Sequence, residues 1–284
     1  MDISIVTKDI ALQLEQTKGD YIDSWLQTMQ KQMNHRFNMK TLRIGNVRAF
    51  VAPDLQEIGL FNLVTGLSSC EEEAFSESFE EILHFYHNYS VEKYYIEVNP
   101  YHAPSRFLVH LTSQGFSLSR FETYVYGRGI NIPSYGSNVV SIREVTSSEV
   151  DLFATLHIQG YQEALAHVSK PTLRLYYECL KILYGCPGWH LYIAWVNDIP
   201  SGMGMLYMQD GRASLAGGAT LPKQRRQGVQ TALLRHRIQV AAQAQCTLIV
   251  GQASVVSTSQ HNMERLGLST AYTGTIWTRL PSKK

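Results

Sequence analysis

Leu221-Pro222-Lys223-Gln224-Arg225-Arg226-Gln227-Gly228-Val229-Gln230-Thr231-Ala232-Leu233-Leu234 is a basic, glycine-containing turn between an apolar strand and an amphipathic helix. The run before it, Arg212 to Leu221, reads as a strand with two glycines. After Gly228, positions Val229, Ala232, Leu233, His236, Val240, Ala241 and Ala244 recur at helical spacing. A strand therefore passes through the turn into a helix N-terminus, whose first N–H groups lack intrahelical partners and whose dipole presents its positive end. Such an end suits a pyrophosphate. Gly228 removes a side chain where phosphate oxygens must approach the backbone, and Arg225 and Arg226 add positive charge.

Arg225-Arg226-Gln227-Gly228-Val229-Gln230 resembles the R/Q-x-x-G-x-G/A signature of the GNAT superfamily of acyl-CoA-dependent N-acyltransferases. Pro222 stands where that family's fourth strand often ends, and Gln230 replaces the last small residue of the signature. The neighbouring segments follow the family's order. Thr247 to Gln252 (TLIVGQ) reads as a buried strand, Ser259 to Leu266 as a short helix stopped by Gly267, and Tyr272 to Arg279 as a closing strand. Upstream, the pattern predicts a strand at Val140 to Val145, helices near Glu149 to Tyr161 and Pro171 to Tyr184, and strands at Trp189 to Val196 and Gly202 to Gln209. The resemblance covers about residues 139 to 280, and implies a GNAT domain over 139–284.

The first half repeats part of this order. Strand Tyr94 to Val98, helix Ser105 to Thr112, the stop Gln114-Gly115-Phe116 and strand Phe121 to Gly127 parallel the last four elements of the second half. Phe75, Phe79, Ile82, Leu83 and Tyr86 give the helix before them, fed by a strand at Leu60 to Val64. A tandem is expected: a degenerate GNAT-like domain over 1–130, a Gly- and Ser-containing linker over 127–138, and the second domain. The fold class is α/β in the sense of an α+β mixed sheet, each domain having a central, largely antiparallel sheet flanked by helices. In the first copy, Glu71-Glu72-Glu73 stands where the second has its basic turn; carboxylates there satisfy the helix dipole and repel a pyrophosphate. One CoA per chain is expected.

With 284 residues, 44% hydrophobic and 17% charged, the chain can build packed cores. A net charge of +1 gives no general reason to bind a nucleic acid. No apolar stretch reaches the roughly 18 residues a membrane helix needs. Cys70, Cys179, Cys186 and Cys246 form no C-x-x-C pair, and the N-terminal residues do not read as a signal peptide, so the expected location is the cytoplasm. His84 and His87, with Glu80 on the same helix, read as a half-exposed face and not as metal ligands; no metal is expected.

The resemblance implies acetyl-CoA as co-substrate, with pantetheine lying along the fourth strand after that strand parts from the fifth. Gly218, Ala219 and Leu221 would then offer free backbone groups, one N–H facing the acyl carbonyl. Gly217-Gly218 reads equally well as a bulge or a close strand contact. The cofactor set is completed by Arg225, Arg226, Gln227, Gly228, Val229, Gln230, Thr231 and, against pantetheine, Asn262. The family's proton-donating tyrosine falls on Met263 here, so thiolate protonation passes to water or to Tyr272. For the base, Glu163 with Tyr161 beside it lies in the region that lines the acceptor pocket, a water chain being the alternative. The acceptor expected is a primary amine of a small molecule, amino acid or peptide. Another acyl-CoA reaction, or a CoA-binding module without turnover, would fit the same turn.

Overall fold

A computed structural model describes residues 5–33, 37–70, 72–130 and 139–279. In chain order the elements are α1 Lys8–Gln32, β1 Lys40–Ile44, β2 Val47–Val51, β3 Leu63–Thr65, α2 Glu72–Asn88, β4 Tyr95–Val98, α3 Ser105–Ser113 and β5 Phe116–Gly127. They continue with β6 Val140–Glu144, α4 Val150–Gly160, α5 Lys170–Lys181, β7 Trp189–Val196, β8 Ile199–Gln209, β9 Arg212–Thr220, α6 Val229–Gln243, β10 Leu248–Ala253, α7 Thr258–Arg265 and β11 Ser269–Arg279. Two compact units result: unit 1 is residues 1–124 with 271–284, and unit 2 is residues 125–270. Most of the linker expected over 127–138, and Glu71 of the acidic run, lie outside the described residues.

In unit 2 the strand order is β10-β9-β8-β7-β6. The β6/β7, β7/β8 and β8/β9 pairs are antiparallel, and β9/β10 is parallel. Tight turns make the two hairpins: Asn197-Asp198 and Asp210-Gly211 all have positive φ, the geometry that matches the twist of antiparallel strands. Helix α6 packs Val229, Leu233, Leu234, Ile238 and Ala241 into the core with Leu206, Ala213, Leu215, Ile249 and Met263. This apolar stripe, read from the sequence after Gly228, is what holds the basic turn at the end of β9.

Unit 1 has the order β1-β2-β3-β4-β11-β5. Phe79, Ile82 and Tyr86 of α2 pack on Val64, Ile96 and Val98, and Tyr86 stacks on Tyr94 at 3.8 Å. The sequence reading placed 271–284 with the second domain, but β11 pairs antiparallel with β4, Thr275 opposite Val98 and Trp277 opposite Ile96. Thr278 Oγ1 also donates to the Tyr94 carbonyl at 2.9 Å. The closing strand completes unit 1 because β4 has a free ladder edge there; the alternation along β11 fixes which face is buried but names no partner strand.

Candidate active site

Strand β9 parts from β10. They pair only at Leu248 with Arg212, Ile249 with Ala213 and Val250 with Ser214, although β9 runs on to Thr220 and β10 to Ala253. The cause is a bulge against β8, where Met205 faces Gly217 but Tyr207 faces Ser214. The extra residue on β9 bends that strand. Arg237 of α6 braces the strands beside the bulge: its Nη1 donates to the carbonyls of Met205 at 2.9 Å and Gly217 at 2.5 Å, and its Nε to Leu233 at 3.1 Å. The side chain is buried, and burial lowers its pKa to about 10. A Cβ on Gly218 would meet its Nη2 at 2.8 Å, and one on Gly204 its Nε at 3.0 Å. The bulge falls just before the two glycines, at Leu215-Ala216, and Gly218 fits the close-contact reading, with room made for a guanidinium.

Of the three residues expected to offer free backbone groups, Leu221 donates its N–H to the Ser201 carbonyl at 2.9 Å. By strand alternation Ala219 also points its backbone groups at β8, opposite Met203. Both therefore serve the β8/β9 ladder and not the opening. Gly218 does face the opening, but its groups are taken: its N–H donates to Tyr161 Oη at 3.0 Å, and Tyr161 Oη donates to the Gly218 carbonyl at 3.1 Å.

Tyr161 follows the last residue of α4, and Gly160 brings that helix end against Ala219, where a Cβ would meet the Ala219 Cβ at 2.5 Å. The phenol packs on His157 with ring centroids 4.7 Å apart. His157 Nε2 lies 3.1 Å from Tyr176 Oη, and burial lowers its pKa from 6.5 to about 3, which holds it neutral. An unfolded histidine takes up its proton near pH 6.5, so the stability that His157 contributes is complete above that pH. It is lost as pH falls toward 3, at up to about 1.4 kcal/mol per pH unit. Urea midpoints of unit 2 should drop between pH 7 and pH 5, and His157→Gln should flatten that dependence; equal slopes in both chains would contradict this.

The turn after β9 is a short 3₁₀ stretch, Pro222–Gln224, then Arg226 with φ 66° and Gly228 with φ 79°. Alternating left-handed positions turn successive N–H groups toward one side and make an anion-binding concavity. Gly228 is the N-cap of α6 and no side chain caps that end, whereas Thr7, Ser169 and Ser257 cap α1, α5 and α7. Ala232 is the first residue of α6 to bond inside the helix, to the Gly228 carbonyl at 2.9 Å; the N–H groups of Val229, Gln230 and Thr231 precede it. A Cβ on Gly228 would meet nothing within 4 Å. Arg225 and Arg226 are exposed there, and Gln227 Nε2 donates to Gln224 Oε1 at 2.7 Å.

Three other expected residues find partners of their own. Asn262 Nδ2 donates to Gln230 Oε1 at 2.8 Å, tying α7 to α6; the Gln that departs from the signature is the residue Asn262 bonds. Glu163 forms an ion pair with Arg225 at 3.3 Å, its side chain 74% exposed. That is a solvated surface contact beside the basic turn, without the burial that would poise a carboxylate as a base. Met263 is buried in the core of unit 2.

Tyr272 is withdrawn as the acid. It falls in unit 1, is 6% exposed, and stacks on Tyr124 at 4.8 Å. Burial first, then Glu15, Glu97 and Glu122, pushes its phenol well above the usual range. Two features had no reading from the sequence, Arg237 beside the bulge and the Tyr161 bond to Gly218. The first left a signal: Arg237 lies midway between Leu233 and Ala241 on an apolar stripe, where a charge is out of pattern.

Residues 156–267, from within α4 to just past α7, match the acetyltransferase (GNAT) family. The stretch that matches the family lies within unit 2. No curated protein matches the chain. Among solved structures it is similar to a GCN5-related N-acetyltransferase from Kribbella flavida, with TM-score 0.64 and 12% identity over 93% of this chain and 96% of that one. It is also similar to a functionally unknown conserved protein from Staphylococcus epidermidis ATCC 12228, with TM-score 0.62 and 14% identity over 87% and 96%. A tandem GNAT protein from the clavulanic acid biosynthesis pathway matches with TM-score 0.53 and 11% identity, 98% of each chain being covered. At these identities the likeness is one of fold. The mixed α/β class with two GNAT-like domains, expected from the sequence, is the fold the chain has.

Unit 1 treats its own counterpart of the opening differently. There β3 and β4 pair at Leu63 with Tyr95 and Val64 with Ile96, and beyond them the chain is cross-tied. Glu15 of α1 accepts from the Gly66 N–H at 2.6 Å and from Asn99 Nδ2 at 3.3 Å. The Asn99 N–H donates to Ser68 Oγ at 3.1 Å. Burial, then Glu97, raises the Glu15 pKa to about 7.

Proposed function

We propose that the chain is an N-acetyltransferase that uses acetyl-CoA and a primary amine of a small molecule, amino acid or peptide, with the chemistry in its GNAT domain. The observation that carries this reading is the parting of β9 from β10 at a bulge, directly before an uncapped helix N-terminus entered through a left-handed glycine. The residues fit the ligand: a Cβ at Gly228 would stand where a phosphate must approach, and the α6 end has open donors with no protein group on them. The N–H groups of Val229, Gln230 and Thr231, with Arg225 and Arg226, would hold the pyrophosphate; the free edge of β9 would hold pantetheine as an added strand. Bound acetyl-CoA supplies an acyl group activated as a thioester.

The protein's part is to bind and orient. The Gly218 N–H is the donor that the β9 edge turns toward the opening for a developing oxyanion, once a ligand takes it from the Tyr161 hydroxyl that holds it in the free protein. His157 behind that tyrosine is neutral and cannot add a charge. With Glu163 on the surface, the amine is deprotonated by solvent. A cytoplasmic location belongs to the same proposal and agrees with four free cysteines.

Thiol release from acetyl-CoA in the presence of a panel of primary amines, read with a thiol reagent, tests the activity. Amine-dependent release is expected. Tight binding of acetyl-CoA with no release for any amine would leave a CoA-binding module instead.

Binding should saturate at one CoA per chain. The Gly66 N–H of unit 1 is already occupied by Glu15, and Asn99 and Ser68 hold the adjoining loops together, so an incoming strand would have to break buried hydrogen bonds worth about 1 to 3 kcal/mol each. Calorimetry giving two sites of similar affinity would contradict it.

A further inference from the structure

Tyr161 makes an unusual pair of bonds: one oxygen atom accepts from the Gly218 N–H at 3.0 Å and donates to the carbonyl of the same residue at 3.1 Å. Those are the two groups with which an added strand would pair at this point of the β9 edge, one acceptor and one donor being needed. A hydroxyl is the smallest side-chain group able to supply both. The phenol is held there from behind by the His157 ring at 4.7 Å, and beneath the strand the Arg237 guanidinium blocks any Cβ on Gly218. The residue that Tyr161 reads is thus bound to be a bare backbone unit.

We propose that Tyr161 is a specificity-determining latch, whose hydroxyl satisfies the Gly218 backbone in the free protein and must be displaced by the amide or thioester carbonyl of an entering acyl-CoA. The proposal rests on the acyl-CoA reading of unit 2. Ligands that present an acceptor to the Gly218 N–H recover what the latch gives up; those carrying only apolar groups at that point leave a backbone pair unsatisfied and are rejected. The latch also keeps the strand edge from pairing with another chain while no ligand is present.

Tyr161→Phe keeps the ring against His157 and removes only the hydroxyl. Two readouts are taken on the full chain. Without ligand, amide exchange at Gly218, followed by NMR, should be at least about ten-fold faster in Tyr161→Phe than in the parent chain, because the N–H has lost its protein acceptor. Equal rates would overturn the latch whatever the ligand is. By calorimetry, Tyr161→Phe should bind acetyl-CoA roughly 5- to 50-fold more tightly, since two neutral hydrogen bonds no longer compete. Affinity that is unchanged or weaker in the variant would also overturn it. Fast exchange in the variant with no acetyl-CoA binding by either chain would overturn the acyl-CoA reading and leave the Gly218 contact as a purely structural bond.

Discussion

Gly228→Glu should fold normally and lose acetyl-CoA affinity by at least about 2 kcal/mol, roughly 30-fold. The position is exposed, and a Cβ there meets nothing within 4 Å, so the side chain itself displaces no core atom. The backbone does resist it: at φ 79° any L-residue with a Cβ is strained by about 1 kcal/mol or more. The larger effect is electrostatic. The carboxylate would lie over the donors of the α6 N-terminus, where it satisfies the helix dipole with the protein's own charge and repels a pyrophosphate. Gly228→Ala separates the contributions, because it carries the strain and the Cβ without the charge, and should lose less affinity than Gly228→Glu. Unchanged affinity in a folded Gly228→Glu chain would show that the ligand's phosphates lie elsewhere.

Arg237→Met should destabilise unit 2 by about 2 to 4 kcal/mol, a large share of the 5 to 15 typical of a domain. The guanidinium is 2% exposed and bonds three backbone carbonyls. Two of these, on Met205 and Gly217, belong to the residue pair that borders the bulge. Methionine fills similar volume and donates nothing, so all three bonds are lost. Relief of the buried charge offsets part of the cost, as the lowered Arg237 pKa of about 10 indicates. Urea unfolding followed by a fluorine label on Trp189 of β7 reports on unit 2. A midpoint equal to that of the parent chain would mean that the bulge closes without its arginine.

The sequence carried unit 2 well because its signals are local. Apolar strand runs such as Trp189 to Val196, a stripe from Val229 to Ala241, and a glycine at a helix start each act over a few residues and survive in any tertiary context. The turn after β9 was legible for the same reason: Gly228 takes a left-handed φ, a property of one position. What could not be read was pairing at a distance. The direction of the Ala219 and Leu221 N–H groups depends on register with β8, and the destination of β11 depends on which strand offers an edge. Tyr161 and Gly218 are 57 residues apart, and no periodicity connects them. Tyr272 looked available as an acid because a tyrosine in a closing strand has no sequence mark that tells a buried phenol from an open one.

The most direct measurement is a crystal structure of the chain grown with acetyl-CoA. The account predicts one ligand per chain, its pyrophosphate on the N–H groups of Val229, Gln230 and Thr231. Its pantetheine should lie along β9, with a ligand oxygen on the Gly218 N–H in place of the Tyr161 hydroxyl. A ligand held by unit 1 near Gly66, or one bound to unit 2 with the Tyr161 to Gly218 bonds intact and the α6 N-terminus bare, would contradict it.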